Sequence, residues 1–194
     1  MTMKHSKLSI ATTLTIIASL ALLLPFPDVA SADNQCQLDQ RQLVHQGAIP
    51  FGGPTVLGQT FIPAVPGQRV CRVKVMITKN FAGADNVTLR LLGSNLTPLD
   101  ASVTIPGGPI PVGNSMQLFD FGCNGVPLAA MPFYGLRLES PNSPPAAYSW
   151  RGGANNPYIQ PGNGGRGWRN LNGKPGNWTS LGGWDYAFEI YMCD

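Results

Sequence analysis

From Leu57 onward the chain alternates apolar and polar residues in short runs separated by glycine, proline and asparagine. Residues 70–78 place Cys71, Val73, Val75 and Ile77 on one face, with Arg72, Lys74 and Met76 on the other. Residues 87–92 set Val87, Leu89 and Leu91 against Thr88 and Arg90. Residues 99–105 set Leu99, Ala101, Val103 and Ile105 against Asp100, Ser102 and Thr104. Near the end, 184–193 give one face to Trp184, Tyr186, Phe188, Ile190 and Met192. Runs at 57–63, 117–121, 133–139 and 147–151 are shorter or less regular. A period of two with one apolar face predicts half-buried antiparallel strands.

About eight such strands with turn-rich joints predict an all-β chain, an antiparallel two-sheet β-sandwich of the jelly-roll kind. Pro106, Pro109, Pro111, Pro127 and Pro132 fall between the runs, where they break no ladder. Residues 33–56 read as a short lead-in strand plus a loop. Residues 162–183 read as a long Gly/Asn-rich loop before the last strand. No internal repeat or linker divides the chain.

The first residues carry Lys4, His5 and Lys7, then an uncharged apolar run over 8–27, then Ala30-Ser31-Ala32. This layout predicts a signal peptide over 1–32 and a single domain over 33–194, secreted to an extracellular or periplasmic space. No later apolar run is long enough to span a bilayer, so no membrane span is expected after cleavage. Removing Lys4, Lys7 and Asp28 from the 13 basic and 10 acidic residues leaves a net charge of +2. So small a charge makes no electrostatic case for nucleic acid.

Cys36, Cys71, Cys123 and Cys193 form an even set in an exported chain, which predicts two disulfides with three possible pairings. Chain ends that lie close in a jelly roll favour Cys36 with Cys193 and Cys71 with Cys123. With no C-x-x-C and only His45 beyond the leader, a zinc site is not expected.

Catalytic chemistry is sparse. No G-x-S-x-G occurs, and His45 sits in what reads as an exposed loop. Glycoside hydrolysis needs two carboxylates across a cleft. The only pair sharing a strand face near the aromatics is Asp185 and Glu189, so a hydrolase is a remote alternative. No cofactor is expected. A structural calcium is conceivable at Asp185, with Asp33 or Asp39 as partners, although no cluster of oxygen ligands is visible.

The chemistry that is present concentrates in residues 148–194, which hold all four tryptophans. Sugars stack on flat aromatic rings and bond to planar polar side chains, and this segment supplies both. Trp150, Tyr158, Trp168 and Trp178 are the candidate stacking residues, with Arg151, Asn156 and Arg169 as hydrogen-bonding partners. Trp150 divides evenly between core and site. Tyr186 shares the inward face of the last strand, with Trp184 at its rim. Trp, Tyr and Arg also dominate protein-binding surfaces, so a structural or protein-interaction protein of the cell envelope, using this surface against a protein partner, is the alternative to a binder of carbohydrate or cell-surface glycan.

The order GQTF (58–61), FDF (119–121), YGLRLES (134–140), YSW (148–150), NPY (156–158) and WDYAFEIY (184–191) resembles a β-sandwich module of bacterial secreted and surface proteins. Such modules are similar to galactose-binding or carbohydrate-binding jelly rolls. The resemblance covers residues 57–192 and implies the same sandwich fold and a non-catalytic binding role. The chain departs from that pattern at Tyr186 and Glu189, in the longer 162–183 segment and in its four cysteines.

Overall fold

The computed structural model describes residues 36–122, 124–154 and 165–193. The predicted leader, Asp33, Cys123, Asn156 and Tyr158 lie outside them. In chain order the strands are β1 (Gln37–Gln42), β2 (Gly47–Phe51), β3 (Val56–Phe61), β4 (Arg69–Lys79) and β5 (Val87–Leu92). Then come β6 (Pro98–Ile105), β7 (Gly113–Asp120), β8 (Val126–Pro127), β9 (Tyr134–Glu139) and β10 (Tyr148–Ala154). The series closes with β11 (Gly167–Asn170), β12 (Thr179–Ser180), β13 (Trp184–Tyr186) and β14 (Phe188–Cys193). No helix occurs among the described residues.

These strands form the two open antiparallel sheets of a sandwich. The eight-stranded sheet contains β1, β2, β4, β7, β8, β10, β13 and β14; the six-stranded sheet runs β12-β11-β3-β9-β5-β6. The alternation in the sequence is what fills the space between them. Val73, Val75 and Ile77 from β4 meet Leu89 and Leu91 from β5, Leu136 and Leu138 from β9, and Phe188 and Ile190 from β14, all fully buried. Phe51 stacks on Tyr148, with ring centroids 5.6 Å apart.

Long β4 organises the larger sheet because its two halves have different neighbours. Residues 69–75 pair with β14, and 77–79 pair with β10. The last strand changes partner at the same level, with β13 on β10 and β14 on β4. Ala187 is the hinge of that change. Its N–H donates to Arg151 O at 2.8 Å, and its carbonyl accepts Met76 N–H at 3.2 Å and Trp150 Nε1–H at 3.0 Å. One small buried residue thereby bonds to both β4 and β10, and the predicted single last strand becomes two.

Cys71 is fully buried, and beside it the β4–β14 register slips between Tyr191 and Met192, a bulge that brings Val70 into the core cluster as well. Three expectations are corrected. Cys71 is bonded to Cys36, so the favoured Cys36–Cys193 and Cys71–Cys123 pairings do not hold. The chain ends do lie close, with Gln37 opposite Met192, yet Cys36 is bonded to Cys71. Cys193 is buried, and its Sγ lies 3.0 Å from where a Cβ on Gly125 would stand. Finally, 165–183 is not loop throughout: β11 and β12 extend the smaller sheet at its β3 edge. Residues 37–51 likewise give two paired strands instead of one.

Candidate binding surface

β11 is a strand by pairing rather than by pattern. Gly167, Trp168, Arg169 and Asn170 lie opposite Gln59, Gly58, Leu57 and Val56. Opposed residues on antiparallel strands share a face, and Leu57 is core, so Trp168 and Gly58 point away from the interior. The same row continues through Arg137, opposite Gly58, to Arg90, opposite Arg137. Trp168, Gly58, Arg137 and Arg90 therefore cross the outer face of the smaller sheet in one line.

Gly58 leaves a hole in that line, and Trp178 fills it. A Cβ on Gly58 would stand 3.0 Å from the Trp178 ring and 3.3 Å from Leu136 O. One half-buried indole, Trp178, thus lies over this glycine, and a second, Trp168, stands opposite it on the neighbouring strand. A glycine inside a strand often marks such a close approach. The turn that carries Trp178 is built by its own asparagines. Asn170 Nδ2 donates to Lys174 O at 2.6 Å, while Asn172 Oδ1 accepts Lys174 N–H at 3.2 Å and Asn177 Nδ2 at 3.3 Å. A surface depression of ≈ 370 Å³ lies beside Trp178, lined by Leu171, Asn172, Asn177 and Thr179.

Charge sits next to the rings. Glu139 is buried and receives Arg137 Nη2 at 2.7 Å and Arg90 Nε. Among the described residues the Nε of Arg137 and the Nε1 of Trp168 have no acceptor. The platform thus combines two indoles with a paired guanidinium–carboxylate cluster. Sequence reasoning missed Gly58, Arg137 and Glu139. The alternation of YGLRLES carried the signal, since it sends Arg137 and Glu139 to the side opposite Leu136 and Leu138.

The other predicted residues divide. Trp150 is fully buried, stacks on Tyr186 at 4.5 Å and spends its N–H on Ala187, so no ring face is left for a ligand. That corrects its candidacy as a site residue. Arg151 lies on the other sheet, with Nη2 donating to His45 O at 2.7 Å. Arg169 has the inward parity of Leu57, opposite to Trp168. Its charge acts on the buried Tyr186, opposing the strong upward push that burial gives the Tyr186 pKa. Trp184 is half-buried at the rim, its ring against Gly47.

Asp185 is buried and serves as an acceptor inside the protein. Gln59 Nε2 donates to its Oδ1 at 3.0 Å, and Gln59 Oε1 accepts Tyr186 N–H at 2.8 Å. Asp39 accepts Ala64 N–H at 3.2 Å. Among the described residues no group of three or more His, Cys, Asp or Glu could hold a metal ion, so the calcium expectation at Asp185 finds no ligand set there. Glu189 bonds Tyr191 Oη at 2.8 Å and faces Lys74 at 3.4 Å. Asp185 and Glu189 are thus held in separate networks. The chain matches no protein-family model and no curated protein sequence.

Proposed function

We propose that this chain is a secreted, non-catalytic binding module that takes a carbohydrate on the outer face of its smaller sheet. The observation that carries this reading is Trp178 lying over Gly58 with Trp168 opposite that glycine, beside the Arg137–Glu139–Arg90 cluster. Apolar sugar faces stack on indoles with little loss of side-chain entropy, and the guanidinium–carboxylate cluster supplies directional bonds to hydroxyls. The proposal narrows the site to the smaller sheet and drops Trp150.

Retention on insoluble polysaccharides and a glycan array test it. Trp168→Ala and Trp178→Ala should each weaken retention about tenfold, equivalent to ~1.4 kcal/mol. Absence of retention on any glycan by the unaltered chain would sink the carbohydrate reading. One observation favours a protein partner at the cell envelope instead: Asn170, Asn172 and Asn177 bond within their own turn, leaving fewer amides for hydroxyls. In that case the tryptophan substitutions abolish capture of the protein partner, and glycans do not compete.

A further inference from the structure

The edges of the two sheets are not equally protected. Natural sheets blunt their edges with charge, proline, bulges or very short strands, because a free row of N–H and C=O groups recruits another strand. β1 carries Asp39 and Arg41 and a register slip, β2 carries Pro50, and β6 carries Pro98 and Asp100. β8 and β12 have two residues each. Apart from a charge at its last residue, β7 has none of these devices. It pairs with β4 over eight residues, and among the described residues no strand takes its other side. Its sequence, GNSMQLFD, carries one charge, Asp120, at the very end.

The face beside that edge is apolar. Leu118 is 45% exposed, and Val112, just before the strand, is 63% exposed. Met116 and Leu118 join Met76 and Leu43 in a groove of ≈ 460 Å³ on the outer face of the larger sheet, with Lys74 and Glu189 at one end. Lys74 and Glu189 neutralise each other, so the groove offers an apolar floor rather than a net charge to a partner.

We propose that a second copy of this chain adds antiparallel to β7, with the two-fold axis through Gln117. Strand addition of this kind takes its affinity from main-chain bonds and its register from the side chains. Pairing centred on Gln117 puts Met116 opposite the second copy's Leu118, and Asn114 opposite its Asp120. Outward side chains then lie beside outward side chains, and the apolar floor runs unbroken across the axis. No charge meets its like, because the only charged residue of β7 meets an amide. The contact is isologous and closes after two copies, which removes the free edge.

Charge exchange at the axis tests this, with sedimentation equilibrium of the exported chain and hydrogen exchange of the β7 amides as readouts. The unaltered chain should sediment at twice the monomer mass, with β7 amides protected more strongly as concentration rises. Gln117→Lys and Gln117→Glu each set like charges directly opposite one another and should sediment as monomers, with dimer affinity at least about tenfold weaker. An equimolar mixture of the two should recover the dimer, which also shows that both variants fold. A monomeric unaltered chain overturns the proposal, as does a dimer that survives both single substitutions or a mixture that stays monomeric. Protection of β7 by a foreign extended peptide, without self-association, would assign the edge to another partner and equally overturn it.

Discussion

Gln59 of β3 reaches across the sandwich to Asp185 of β13, its Nε2 donating to the carboxylate at 3.0 Å while its Oε1 accepts Tyr186 N–H at 2.8 Å. Both residues are buried, so this is a polar tie between the two sheets in a low-dielectric interior. A buried amide that satisfies a carboxylate and a backbone N–H at once is hard to replace. Gln59→Leu keeps similar bulk but leaves both groups short of a partner, and should cost about 3 kcal/mol. Denaturant unfolding measures this. A loss below about 1 kcal/mol would mean that the tie contributes little.

The same strand supports a prediction about the candidate platform. Gly58 is the floor on which Trp178 lies, and any side chain there must lift the indole. Gly58→Val should leave the fold intact, since valine suits a strand, yet expose Trp178. Stronger iodide quenching and weaker glycan retention are expected together. Unchanged quenching would show that the ring does not rest on position 58.

The inward parity of Val73, Val75, Ile77, Leu89, Phe188 and Ile190 was legible in the sequence because a period of two is a local property. Partners are not local. Nothing in GWRN marks 167–170 as a strand; Gly167 is required by the close approach of Trp184 O, 2.6 Å from where a Cβ would stand. The bulge beside Cys71 is set by register against β14, more than a hundred residues away in the chain, and no local pattern announces it. Trp150 could not be assigned by its neighbours in sequence, because the ring that covers it belongs to Tyr186. Half of the predicted stacking set was therefore decided by contacts between distant segments. The glycines and asparagines of the tail read as loop, and in the structure they serve close packing and turn-building.

The cysteine framework is open to direct mapping. Digestion without reduction should release Cys36 linked to Cys71. With those two joined, an even count leaves Cys123 and Cys193 as the second pair to look for. The Cys36–Cys71 bond closes a loop of sequence separation 35 and ties edge strand β1 to β4. Loop-closure entropy puts its contribution at about 4 kcal/mol. Cys36→Ser should lower stability by an amount of that order, with β1 fraying first in hydrogen exchange. Recovery of Cys36 linked to Cys193 would refute the assignment.

Lys79 offers a test of buried charge in a structural role. It is 4% exposed, and its ammonium donates to Gly107 O at 2.6 Å and Ile110 O at 3.1 Å, pinning the 106–111 connection against β4. Lys79→Met keeps an unbranched apolar stem but abandons two carbonyls. Stability should fall by about 2 kcal/mol, and proteolysis should begin in that connection. Equal or greater stability would mean that relief from burying the charge outweighs the lost bonds.

Asp39 sets the sign of one pH effect. Burial on β1 pushes its pKa above the ordinary value, and hydrogen bonds from Ala64 N–H and Gln40 only partly oppose that push. A carboxyl with a raised folded pKa holds its proton more tightly in the folded state. Its contribution is therefore most favourable below the unfolded pKa of about 3.9, and is lost as pH rises through the folded value. At neutral pH the ionised Asp39 opposes folding. Asp39→Asn keeps an acceptor oxygen for Ala64 N–H and removes the charge, so it should raise Tm at neutral pH. The gain should shrink as pH falls through the raised folded value toward about 4, below which Asp39 is neutral in both states. Thermal melts of both proteins across that range give the difference curve. A variant less stable at neutral pH would show that the bond from Ala64 outweighs the cost of burying the charge.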